Sequence, residues 1–103
     1  MNRILLLAAL TLAGAAQGAS ETQVTIKNFA FGPAAVTVPV GTTVTWVNVD
    51  VEPHTVISNE KKFQSEAVDT GDRFSVTFDK PGTYGYFCSL HPHMTGKVVV
   101  TGK

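Results

Sequence analysis

From Cys88 to Met94 the sequence reads Cys-Ser-Leu-His-Pro-His-Met, which sets a thiol, an imidazole and a thioether at Cys88, His91 and Met94. A second imidazole, His54, stands upstream behind Pro53. Thiolate and thioether favour the cuprous ion, while imidazole also stabilises the cupric ion. Two His, one Cys and a weak Met therefore form a set that suits copper in one-electron chemistry. A site of fixed intermediate geometry changes little between the two oxidation states, so little energy goes into reorganisation. The chain has one Cys, and its only other Met is Met1. All the soft donors downstream of the initiator thus sit in one segment.

Each of these residues has a plainer role when taken alone. A free Cys is most often an inert buried thiol, and a Met commonly fills core space. A His at a strand start is commonly surface. The joint spacing of Cys88, His91 and Met94 outweighs those readings, and His54 is the natural remaining imidazole. His93 is read as a solvent-facing neighbour, because Cys-x2-His favours His91 and so short a segment cannot place both beside Cys88. A thiol enzyme, with Cys88 as nucleophile and His91 or His54 as base, is a distant reading. No acidic orienter is evident beside either His. A copper carrier or copper-resistance protein would use the same ligands and is the alternative to a redox role.

The elements that must position these residues are strands. Val24 and Ile26 alternate with Thr25 and Lys27, Val36 and Val38 follow Pro33, and Val44 and Trp46 share a face within 42–49. A short strand is expected over 54–58, then an exposed loop or short helical turn over 59–70. Phe74, Val76 and Phe78 alternate with polar residues, Tyr84, Tyr86 and Cys88 lie on one face, and Val98 and Val100 close the chain. Period-2 alternation with turn residues between predicts an all-β sandwich of seven to eight strands in two antiparallel sheets. The segment 88–94 is expected to be a tight loop between two strands.

Residues 1–18 read as a cleaved leader. Arg3 supplies one positive charge, and Ile4 to Ala16 is nearly all Leu and Ala, shorter than the roughly 18 apolar residues of a spanning helix. Small residues through Gly18 suit a signal peptidase, with the cut placed after Gly18. The domain itself then covers 19–103, with no membrane span. An exported chain with a lone Cys cannot form an internal disulfide, so something should occupy the thiol. Eight basic against eight acidic residues argue against a nucleic-acid partner, and 44% hydrophobic residues argue against disorder.

Across residues 20–103 the chain resembles a cupredoxin, a small blue-copper protein. The resemblance rests on the Cys-x2-His-x2-Met spacing, on Pro-Gly-Thr-Tyr-x-Tyr-x-Cys from Pro81 to Cys88, and on Pro53-His54. The short spacing is most similar to that of the amicyanins. The resemblance implies a Greek-key β-sandwich holding one type 1 copper, with His54, Cys88 and His91 equatorial and Met94 axial. It further implies a periplasmic, monomeric electron carrier that docks briefly with redox proteins such as a dehydrogenase or a c-type cytochrome. Electrons would pass through the edge of His91 amid Leu90, Pro92 and Pro53. Thr55 departs from the family pattern: many relatives have an Asn there whose side chain ties two copper loops together.

Overall fold

The computed structural model describes residues 20–102, so the expected leader and its cut after Gly18 lie outside the described residues. Eight strands and no helix are found among them: β1 (Glu21–Lys27), β2 (Ala30–Gly32), β3 (Ala35–Pro39), β4 (Thr42–Asn48), β5 (Ile57–Ser58), β6 (Arg73–Phe78), β7 (Gly82–Cys88) and β8 (His91–Thr101). One sheet has the order β2-β1-β4-β6 and the other β3-β8-β7-β5. The all-β sandwich expected from alternation is observed.

The sheets are mixed rather than purely antiparallel. β1 pairs parallel with β4, and β3 pairs parallel with β8. The chain leaves one sheet for the other between β2 and β3 and returns for β4. A strand that comes back after such a crossover can run alongside its neighbour in the same direction. Alternation along one strand carries no information about that choice.

Each inward face supplies the core. Val24, Ile26, Val44 and Trp46 from one sheet meet Tyr86, Cys88, Val98 and Val100 from the other, and all are buried. Trp46 packs edge-on against Tyr86 with ring centroids 5.2 Å apart. The turn at Pro39-Val40-Gly41 works because Gly41 takes φ 93°, a conformation that a Cβ disfavours.

Three further expectations change at the functional end. The strand expected over 54–58 is confined to Ile57–Ser58; His54 makes only an isolated bridge to Val68. The polar 59–70 stretch forms no helix, but Ser65 and Val68 turn inward from it. The loop expected over 88–94 shrinks to Ser89 and Leu90. β7 runs to Cys88 and β8 starts at His91, with a register irregularity between Phe87 and Cys88. His91 and Met94 therefore stand on a strand, which fixes them more firmly than a loop would.

Candidate metal centre

Three short segments converge at one end of the sandwich: the turn between β1 and β2, the link from β4 to β5, and the β7–β8 connection. Asn48, fully buried at the end of β4, organises the second. Its Nδ2 donates to the carbonyls of Glu52 and Val68, each at 2.8 Å, and its Oδ1 accepts the Asp50 N–H at 2.8 Å. Thr70 adds a hydroxyl bond to the Asp50 carbonyl. His54 then pairs through its backbone with Val68 in both directions, at 3.1 and 2.7 Å. A loop whose backbone groups are bonded this fully has little freedom to move.

His54 has no exposed surface. Its Nε2 lies 2.9 Å from Asp50 Oδ2, and its Nδ1 faces Cys88 Sγ at 3.7 Å. A carboxylate on one ring nitrogen fixes the tautomer, leaving the lone pair of the other nitrogen directed at the thiol. The sequence reading found no acidic orienter beside either His, and Asp50 overturns it. Its place four residues before His54 was the available signal. Only the loop's path reveals that the two side chains meet.

Asp50 also binds the first segment. Its Oδ2 accepts the Phe29 N–H at 3.0 Å. Asn28 and Phe29 are the two central residues of the β1–β2 hairpin, both with positive φ, 53° and 57°. That is the backbone of a type I′ turn, where Gly is usual at the second position. Phe29 accepts this conformation and lays its ring edge-on to both imidazoles, 5.5 Å from His54 and 4.9 Å from His91. The two His rings are themselves 5.1 Å apart. The Phe29 N–H bond is the largest influence holding the Asp50 carboxyl below its ordinary value, followed by His54, against an opposing effect of burial.

Cys88 is a free, fully buried thiol. Burial pushes its pKa up, but the Thr55 N–H, His54, the Leu90 N–H and the Thr55 hydroxyl outweigh that and hold it below the ordinary thiol value. Met94 is buried in the same core cluster as Cys88. His91 faces Cys88 across the β7–β8 pair and is half-buried, while His93 is exposed as expected. His54, Cys88, His91 and Met94 thus gather at one end, and His93 stays outside. The imidazole, thiolate and thioether donors fit copper: the set is soft to borderline, and the thiol is already biased toward its anion.

Around this centre lie the exposed apolar side chains. Phe29, Val49, Val51 and Leu90 are the large hydrophobic residues open to solvent among those described, and every one flanks the converging segments. Pro53 and Pro92 are exposed beside them.

Comparison with known proteins agrees with this fold. A family model described as "Cupredoxin-like domain" matches residues 2–100. Amicyanin from Paracoccus versutus is 38% identical over 87 residues, which cover 80% of this chain and 66% of that protein. The chain thus spans about two thirds of that relative's length. Plastocyanin from Scenedesmus fuscus is 38% identical over 82 residues, covering 69% of this chain and 84% of that one. Among solved structures, a purple cupredoxin from Nitrosopumilus maritimus superposes with TM-score 0.75 at 37% identity, covering 78% of this chain and 99% of its own.

Proposed function

The chain belongs to the cupredoxin family, and from that premise we propose that it is an exported carrier of single electrons that holds one type 1 copper through His54, Cys88, His91 and Met94. The observation that carries this reading is the enclosure of the donors. His54, Cys88 and Met94 are buried, while His91 alone of the four is partly open, inside an exposed apolar rim. Copper held there would supply a cuprous–cupric couple.

The protein's own part is to hold still. Asp50 keeps the His54 ring in one tautomer and one orientation. The Asn48 bonds fix the loop that carries it. Cys88 ends one strand while His91 and Met94 ride on the next, so a change of charge at the centre meets a frame that does not relax much. The half-buried edge of His91 gives the electron a short exit to a docked protein. Leu90, Pro53, Pro92, Val51 and Phe29 offer that partner a small apolar face, which suits brief redox encounters. A dehydrogenase or a c-type cytochrome is the proposed kind of partner. Export to the periplasm rests on residues 1–18.

Cys88, His54 and Asp50 also line up as thiol, imidazole and carboxylate, the order of a thiol-enzyme triad. Burial argues against that use, since neither Cys88 nor His54 exposes any surface to a substrate.

The distinguishing experiment is repeated reduction and reoxidation of the copper-loaded protein with excess cuprous chelator present. An electron carrier keeps its full copper content through many cycles. Stoichiometric loss to the chelator on first reduction would favour a copper carrier or resistance protein instead.

A further inference from the structure

The position after His54 is occupied by Thr55, and this side chain does more than tie two segments together. It is buried, and its backbone N–H donates to Cys88 Sγ at 3.3 Å. Its Oγ1 accepts the Ser89 N–H at 2.7 Å, which joins the loop after β4 to the β7–β8 connection. Oγ1 is also 2.9 Å from Ser89 Oγ and 3.8 Å from Cys88 Sγ.

A hydroxyl has one proton to give and two lone pairs with which to accept. One lone pair of Thr55 is engaged by the Ser89 N–H, so the single proton must choose between Ser89 Oγ and Cys88 Sγ. Ser89 is exposed, and water can serve its hydroxyl. Cys88 is fully buried, and no water reaches its sulfur. A buried thiolate is the stronger claimant, because a hydrogen bond to an ionised acceptor is stronger than one to a neutral hydroxyl. The Ser89 hydroxyl then turns to donate into the second lone pair of Thr55.

We propose that Thr55 is a redox-positioning residue, which gives the Cys88 thiolate a side-chain donor beside its backbone donors, through a hydroxyl aimed by the Ser89 N–H, and so favours the reduced state of the centre. This rests on Cys88 being a copper ligand. With copper bound, the sulfur would share its charge with the cupric ion, and an electron delivered by a partner would return part of that charge to the sulfur. A donor pointing at that sulfur is therefore worth more after reduction than before it. An aliphatic group of the same shape gives nothing to that charge.

The test compares Thr55→Val, Thr55→Ser and Ser89→Ala in the copper-loaded protein, reading the reduction potential and the energy of the sulfur-to-copper absorption. Thr55→Val is expected to lower the preference for cuprous over cupric ion by about tenfold, the weight of one such hydrogen bond. The absorption should move to longer wavelength. Thr55→Ser should restore both values. Ser89→Ala leaves the sulfur as the only nearby acceptor for the Thr55 proton, so its potential should equal or exceed that of the parent. In D2O the copper–sulfur vibrations should shift in the parent and in Thr55→Ser by more than in Thr55→Val.

Two results would overturn the proposal. One is a Thr55→Val protein whose potential and absorption match the parent; the other is a Ser89→Ala protein whose potential falls with that of Thr55→Val, which would assign the effect to the inter-loop tie alone. Should Thr55→Val fail to fold, Thr55→Ala removes the same hydroxyl and carries the same expected and overturning results. A parent protein with no sulfur-to-copper absorption would instead defeat the copper-site reading, and this inference with it.

Discussion

Asp50 Oδ2 stands 2.9 Å from His54 Nε2, with His54 wholly enclosed and the same oxygen accepting the backbone N–H of Phe29 at 3.0 Å. One carboxylate thus links the β1–β2 turn to the imidazole that faces Cys88. The proposed metal ligand is held from behind by a group on a different loop from the one that carries Phe29.

Asp50→Asn should lower copper affinity by about tenfold or more, the usual cost of removing a carboxylate behind a metal-bound His. Competition with a chelator of known affinity measures it. The acid stability of the metal-free protein should change as well. The folded-state pKa of Asp50 lies below its ordinary value of 3.8, so its contribution is present above that pH and is lost as the pH falls through the lower folded value. Urea unfolding across the acid range should show this loss in the parent and a flatter profile in Asp50→Asn.

Phe29 adopts φ 57° in a turn that Gly would accept without strain. Phe29→Ala keeps the backbone cost and loses the ring, whereas Phe29→Gly loses both. Denaturant unfolding should find the Gly variant more stable than the Ala variant by about 1 kcal/mol. Equal stabilities would mean that the turn relaxes out of the left-handed region once the ring is gone.

Gly96 on β8 lies directly against Tyr86. A Cβ at this position would overlap the Cζ and Oη atoms of that ring, which is itself buried. Gly96→Ala should destabilise the fold by about 1–3 kcal/mol through overpacking, read as a fall in the midpoint of thermal or denaturant unfolding. A neutral result would show that Tyr86 can shift within the core.

Much of this centre could be read from the sequence because its signal is local. Cys88, His91 and Met94 are close along the chain, and their atom types alone select soft-metal chemistry. Val24, Ile26, Val44 and Trp46 likewise announce their inward faces by period-2 alternation. Asp50, Phe29 and the hydroxyl of Thr55 were not legible in their roles. Each acts through a contact between separate loops, and one-dimensional spacing does not report how those loops lean together. The parallel pairing of β1 with β4 escaped notice for the same reason, since it depends on the crossover through β3. His91 moved from an expected loop onto β8 because only Ser89 and Leu90 are needed to reverse the chain.

The most direct test of the account is the visible spectrum of the purified protein after one equivalent of cupric ion is added. The account predicts an intense red absorption that ascorbate bleaches and ferricyanide restores, and that is absent from Cys88→Ala. A colourless parent protein, or a Cys88→Ala variant that keeps the colour, would contradict thiolate-bound copper at this site.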